Sequence, residues 1–303
     1  MHGPGALLRK EGEEVARLLD GIDRAPRVHM ESSEKMPLAD ESVHLVVTSP
    51  PYPMVEMWDG LFEAWTGRGL DDPRFYAASH AALARVWNEC ARVLVPGGIV
   101  AVNVGDACRN AGGGFRLYEN HVDVTLACRE AGLTPLVPIL WKKPTNKPNA
   151  FLGSGFLPPN AYVTLDCEFI LLFRKGAPRK LPPKDLLRYA SEMSKVERDG
   201  WFTQIWEMRG TGQTKDDLAR RTGAFPDEVP YRLVRMFSLL GETVLDPFAG
   251  TGTTLRVATS EGRLAVGFET EPALAPALAA IQAPAGREVL ERLVRRYPGE
   301  EGP

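Results

Sequence analysis

ETVLDPFAGTGTTLRVA, residues 242–258, begins with an apolar run that stops at Asp246, passes through a turn containing Gly250 and Gly252, and resumes with helix-forming residues at Thr253 or Thr254. A strand, a glycine-rich turn and a helix start in that order bring backbone N–H groups and a helix N-terminus close to a nucleotide-like ligand. The glycines remove side chains where the ligand must approach. The turn is not a phosphate loop, because Gly-Thr-Gly-Thr-Thr lacks the lysine that would meet a β- or γ-phosphate, and it does not match G-x-G-x-x-G. The next strand, LAVGFE at 264–269, ends in Glu269. That acid lies about 20 residues past the glycines, where it would accept hydrogen bonds from both hydroxyls of a ribose. A tight turn with a surface glutamate is the plainer reading of the same residues.

Outward from this stretch the chain alternates. SVHLVVT (42–48), GIVAVNV (98–104), LTPLVPILW (133–141), YVTLDCEFILLF (162–173) and TVLD (243–246) read as strands. Helical spacing marks 74–94, 118–131 and 227–240, with Pro-Gly-Gly at 96–98 as the stop of the first. The alternation predicts an α/β fold, a doubly wound and mostly parallel sheet covered on both faces, with ligands at the carboxyl ends of the strands. LLRKEGEEVARLL near the start reads as an amphipathic helix appended to the core.

A second stretch, VVTSPPYPMVEMWD at 46–59, runs a buried strand straight into Ser49, Pro50, Pro51 and Tyr52. Consecutive prolines remove two donors and fix two φ angles, so neither helix nor sheet continues and the chain stiffens into a fixed shape. A strand-ending turn with a surface tyrosine would look the same.

With 303 residues, 44% of them hydrophobic, the chain can bury a large core. The four cysteines form no C-x-x-C pair, which argues against a zinc knuckle, a redox pair or a disulfide framework and fits a reducing cytoplasm. The histidines show no ligand spacing, so no metal is expected. Apolar runs such as FILLF (169–173) are too short to span a bilayer, and the N-terminus carries charges where a signal peptide needs an apolar core. The net charge of −3 does not announce nucleic-acid binding. One segment does gather basic residues: 174–198 holds eight Lys/Arg against three acids, a composition shared with ordinary solvated surface.

D-P-F-A-G-T-G-T-T, the preceding Ala224-Phe225-Pro226 and the upstream T-S-P-P-Y together resemble the S-adenosylmethionine-dependent amino-methyltransferases of DNA bases. Ser49 precedes Phe248 by 199 residues, the reverse of the usual methyltransferase order and similar to the beta class of that family. The resemblance implies a Rossmann-like methyltransferase fold with permuted motif order and an inserted target-recognition region. The chain then divides into an N-terminal helical extension (1–27), a catalytic half (28–173), a target-recognition region (174–222) and a cofactor half (223–303). It also implies that Asp246, Pro247, Phe248, Gly250, Gly252, Thr253, Thr254 and Glu269 bind S-adenosylmethionine and release S-adenosylhomocysteine, with Phe225 and Pro226 closing the methionine end. Where the family has a Gly-Asp pair at the cofactor's adenine, this chain reads HMESSEKM, which puts Glu31 or Ser32 there. NVGDA (103–107), FLGSGFLPPNAYVT (151–164) and WFTQIWE (201–207) resemble further parts of one branch of the class.

The exocyclic amino nitrogen of cytosine or adenine is a poor nucleophile because its lone pair is delocalised into the ring. Acceptors aimed at the amino hydrogens restore its reactivity. Ser49 Oγ and the Pro50 carbonyl suit that role, with Pro51 holding them in place and Tyr52 stacking on a base swung out of the duplex. Within the family S-P-P-Y usually accompanies cytosine N4, and D/N-P-P-Y usually accompanies adenine N6. Ser49 therefore favours N4-cytosine, with N6-adenine the alternative and an RNA or protein amide methyltransferase, or an inactive DNA-binding relic, as rivals. Double-stranded DNA is the expected partner, gripped by Lys180, Lys184, Arg188, Lys195 and Arg198. The resemblance also admits a restriction endonuclease sharing the target site and a homodimer, in a prokaryotic cytoplasm.

Overall fold

Val46 and its neighbours show how the sheet is built. Leu45 and Val47 join one apolar cluster while Val46 joins another, and the same alternation separates Ile99 and Ala101 from Val100 and Val102. Every central strand therefore buries side chains on both faces, which requires helices on both.

The structure, a computed structural model, describes residues 4–111, 114–143, 159, 163–183, 185–209 and 225–296. Its first half runs α1 (Pro4–Asp20), β1 (Arg27–His29), β2 (Val43–Thr48), a 3-10 turn (Glu56–Trp58), α2 (Asp59–Thr66), α3 (Phe75–Val93), β3 (Leu94–Val104), β4 (Ala107–Ala111), β5 (Gly114–Tyr118), α4 (Asn120–Glu130), β6 (Leu133–Pro135) and β7 (Ile139–Lys142). There follow β8 (Cys167–Lys175), α5 (Leu186–Ala190), α6 (Lys195–Trp201), β9 (Ile205–Glu207), α7 (Glu228–Phe237), β10 (Thr243–Asp246), α8 (Thr253–Ser260), β11 (Leu264–Phe268), α9 (Ala275–Ala279) and α10 (Gly286–Arg295).

Among the described residues the main sheet has nine strands in the order β1-β11-β10-β2-β3-β8-β7-β9, with β6 also paired to β8. Pairing is parallel from β1 through β3, antiparallel for β3 with β8 and β8 with β7, and parallel again for β7 with β9. After β2 the chain leaves through α2 and α3 to β3 on one side; after β10 it leaves through α8 to β11 on the other. The carboxyl ends of β2 and β10 thus flank a topological switch point, where open α/β sheets bind ligands. Residues far apart in sequence meet there, and Thr48 Oγ1 donates to Asp246 Oδ1 at 2.6 Å.

Local readings shift where a competing effect prevails. Pro-Gly-Gly does not stop a helix: α3 ends at Val93 and the strand begins at Leu94. Between the pairs Val43↔Leu94 and Leu45↔Ile99 two residues of β2 advance against five of β3, and Pro96, Gly97 and Gly98 form that bulge. The single strand expected at 133–141 is two, because Pro135 and Pro138 cannot donate to the ladder. The β4–β5 hairpin is additional to the elements read from the sequence. The N-terminal helix α1 packs on α10 and α5 in a separate apolar cluster containing Val15, Leu19 and Leu293.

Candidate active site at the carboxyl edge

The loop after β2 is held rigid by more than its prolines. Asn120 Nδ2 donates to the Pro53 carbonyl at 3.1 Å, and Arg109 Nε donates to the Met54 carbonyl at 2.5 Å while its Nη2 pairs with both Asp59 oxygens at 2.7 Å. Met54 takes a left-handed φ of 65° inside this clamp. The Tyr52 ring is half-buried and its hydroxyl is enclosed, 2.9 Å from Ser49 Oγ. Asn103 Nδ2 donates to the Tyr52 oxygen at 2.9 Å and to Glu168 Oε2 at 2.7 Å, and Tyr52 OH lies 3.2 Å from the same Glu168 oxygen. Lys143 Nζ pairs with the other Glu168 oxygen and sits 4.2 Å from the Trp141 ring centroid. Burial first, and then the Glu168 charge, push the Tyr52 hydroxyl well above the ordinary phenol value, so it stays protonated. Gly105 lies against this cluster, since a Cβ there would come within 3.2 Å of both Tyr52 and Glu168.

The loop after β10 is held by main-chain groups. Asp246 Oδ1 accepts from Thr48 and from the Phe248 amide at 3.1 Å, yet burial pushes its carboxyl up to about 6. Glu269 Oε2 accepts from the Gly250 amide, and Oε1 from the amides of Thr270 and Glu271, each at 2.8 Å. A carboxylate has about four acceptor positions. In this geometry Glu269 keeps one for a donor from the cavity, not the two that a pair of hydroxyls would use. Gly252 has φ +84°, and a Cβ there would meet Ile281 and Leu278 at 2.5 and 2.9 Å, so it serves packing behind the turn. Thr254 is buried and donates to the Val47 carbonyl at 3.3 Å, which ties the start of α8 to β2.

Between the two loops lies a cavity of about 690 Å³ whose walls include Ser32, Ser49, Pro51, Pro247, Phe248, Gly250 and Glu269. A smaller pocket of about 30 Å³ adjoins it, bounded by Ser49, Phe225, Asp246, Phe248, Gly250 and Thr253. Most residues expected at the site are therefore brought together, with Ser49, Phe248 and Gly250 on both walls. Pro50, Tyr52, Pro226, Gly252 and Thr254 line neither.

At HMESSEKM, Glu31 and Ser32 both line the large cavity. On the same wall Glu34 accepts from Ser32 at 3.1 Å, from Trp65 Nε1 at 2.8 Å and from Arg85. Burial raises the Glu34 carboxyl, but these hydrogen bonds outweigh it and hold the group below its usual range. Sequence reasoning missed Glu34, Trp65, Asn103, Lys143 and Glu168. An acid inside the apolar run CEFILLF is the one local signal for Glu168.

The basic segment lies elsewhere. Lys175 donates to the Leu94 carbonyl at 2.8 Å and Arg179 pairs with Glu242, so β8 delivers the chain to the amino edge of the parallel strands, opposite the cavity. Lys180 and Arg188 sit at that far edge, and Lys195 and Arg198 are exposed on α6. Lys184, the stretch 151–158 and residues 210–224, which include most of the last part of the expected recognition region, lie outside the described residues. Among the described residues no group of His, Cys, Asp and Glu could hold a metal ion, and no helix is long and apolar enough to cross a membrane.

A crevice at the switch point, acid and glycines on one lip and a fixed hydroxyl on the other, belongs to the Rossmann-like methyltransferases with permuted motif order. The profile of the N6/N4 DNA methylase family matches residues 43–280, and the chain belongs to that family. It is 54% identical over 256 residues to the Type II methyltransferase M.MjaI of Methanocaldococcus jannaschii, covering 79% of this chain and 84% of that one. It is 43% identical over 258 residues to the Type II methyltransferase M.MthZI of Methanothermobacter thermautotrophicus, covering 81% and 73%. Among solved structures it resembles a putative DNA modification methylase of Thermus thermophilus, TTHA0409, complexed with S-adenosyl-L-methionine, at 36% identity and a TM-score of 0.66 over 90% of this chain and 96% of that one.

Proposed function

We propose that the protein is a Type II DNA methyltransferase that moves a methyl group from S-adenosylmethionine to the N4 amino group of cytosine in a short duplex sequence. The observation that carries this reading is Ser49, an acceptor fixed ahead of two prolines on the wall shared by the two cavities. The residues present fit the cofactor. Glu269 retains an acceptor position, Phe248 and Phe268 offer apolar surface, Ser32 and Glu31 line the same cavity, and that cavity has room for a nucleoside and more. When bound, the cofactor supplies a methyl group made electrophilic by a positively charged sulfur. The chain's part is to hold and orient. Ser49 Oγ and the Pro50 carbonyl accept from the target amino group, the clamp on Pro53 and Met54 preorganises them, and the Tyr52 ring supports the extruded base.

Ser49 in place of Asp or Asn supports cytosine over adenine. In this reading a restriction endonuclease cutting the same sequence is the functional counterpart, and the reaction runs in the cytoplasm on host DNA. Duplex DNA incubated with the protein and isotopically labelled cofactor, then digested to nucleosides, is expected to yield labelled N4-methyldeoxycytidine. Label on N6-methyldeoxyadenosine would move the reading to the other amino base, and label on a ring carbon would end it.

A further inference from the structure

Ser49 is useful as an acceptor only if its own proton points away from the target. Four side chains from three strand ends bear on that. Glu168, from β8, is acceptor-only and 17% exposed; one of its oxygens faces Lys143 and the other receives Asn103 Nδ2 at 2.7 Å. The carboxylate thereby settles which way the Asn103 amide faces, because the reverse orientation would set oxygen against oxygen. Asn103 then spends its second N–H on the Tyr52 oxygen at 2.9 Å. Tyr52 has one proton and three acceptors in reach: Ser49 Oγ at 2.9 Å, Glu168 Oε2 at 3.2 Å and the Asn103 carbonyl at 3.3 Å. An ionised carboxylate is the strongest acceptor of the three. With the Tyr52 proton drawn to Glu168, its oxygen has a lone pair left for one more donor, and Ser49 Oγ is the neighbour able to supply it. The Ser49 proton then points inward and its lone pairs face the cavity.

We propose that Glu168 is a positioning residue that sets the direction of the hydrogen-bond chain through Asn103 and Tyr52 and so keeps Ser49 turned as an acceptor toward the target amino group. This rests on the reading of Ser49 as the acceptor for that group. In Glu168→Gln the amide oxygen stays with the Lys143 ammonium, which is donor-only, so the NH₂ replaces the acceptor that faced Asn103 and Tyr52. The Tyr52 proton turns to Ser49, and the Ser49 proton turns into the cavity against the N–H groups of the base. Asn103 and Tyr52 also lose their common anchor, but the apolar packing around them is unchanged.

The test is single-turnover methylation of a duplex substrate by Glu168→Gln, Ser49→Ala and the double variant, with cofactor affinity measured by calorimetry and DNA affinity by anisotropy. Glu168→Gln is expected to slow the methylation step roughly tenfold or more with both affinities retained. The double variant is expected to be no slower than Ser49→Ala, because Glu168 acts through Ser49. A merely structural role would instead multiply the two losses, and that result, or an unchanged rate in Glu168→Gln, would overturn the proposal. Near-normal methylation by Ser49→Ala would sink the acceptor reading itself and this proposal with it, whereas a slow Ser49→Ala with multiplicative losses sinks the Glu168 role alone. Should Glu168→Gln fail to bind cofactor, Tyr52→Phe, which keeps the ring and cuts the chain at the hydroxyl, decides by the same non-additivity with Ser49→Ala.

Discussion

Two loops leave neighbouring strands at the same edge of the sheet, and they are fixed by different means. The loop after β10 is held mainly by backbone amides: that of Gly250 binds Glu269 just after β11, whose other oxygen takes the amides of Thr270 and Glu271, and Asp246 accepts from the amide two residues on. The loop after β2 is held from a distance. Asn103 on β3, Glu168 on β8, Arg109 on β4 and Asn120 on α4 all reach across to it. A binding loop made of backbone donors tolerates side-chain change and presents itself wherever the strand–turn–helix sequence occurs. In the proposed function the loop after β2 needs one hydroxyl held in one direction, and in the inference drawn above Glu168, from the antiparallel half of the sheet, supplies the means.

That contrast breaks most sharply at Ser49. Ser49→Ala removes the acceptor and no backbone contact, so methylation in single turnover is expected to fall about 10²- to 10³-fold with cofactor affinity retained. A matching loss of cofactor affinity in calorimetry would mean the two loops are not separable.

The β10 loop is sharpened by pH. Burial holds the Asp246 carboxyl at about 6 in the folded protein, above the ordinary 3.8. A carboxyl raised on folding adds stability that is complete below the unfolded value and lost as pH rises through the folded one. Asp246 therefore costs the fold up to ~3 kcal/mol well above pH 6 and almost nothing below its ordinary value of 3.8. Asp246→Asn retains an oxygen for Thr48 and the Phe248 amide, so in denaturant melts it is expected to be stabilised relative to the parent at pH 8, with the difference shrinking toward pH 4. A constant difference across that range would place the raised carboxyl elsewhere.

The smallest effect is expected at the amino edge. If Lys180 and Arg188 met phosphates, neutralising both would flatten the log–log salt dependence of DNA binding by about 0.9 per lost contact. Their position beside Glu242 and α1, away from the cavity, predicts an unchanged slope. A flattened slope would show the duplex reaching round to that edge.

Much of the fold is legible because its determinants are local. β2, β3, β10 and β11 are buried runs, so their apolar residues announce themselves, and the glycines of the β10 loop sit beside the strand and helix they join. Ser49 and Tyr52 are legible because two prolines make their loop stand out. The misreadings at Pro-Gly-Gly and at 133–141 arise where a strand partner, absent from any local window, decides whether a proline or glycine ends an element or bends it.

The sequence by itself determined the alternation, the permuted order, the carboxylates at the ends of β10 and β11, and the proline-stiffened loop that carries Ser49 after β2. Tertiary structure alone decided that the basic segment after β8 turns to the edge opposite the cavity, because β8 runs antiparallel to β3 and carries the chain away from the site. It also decided that Glu168, 119 residues beyond Ser49 in an apolar strand, comes within hydrogen-bond reach of Tyr52 and Asn103. Hydrogen bonds between side chains on different strands depend on register and strand direction, and those are fixed when the sheet assembles.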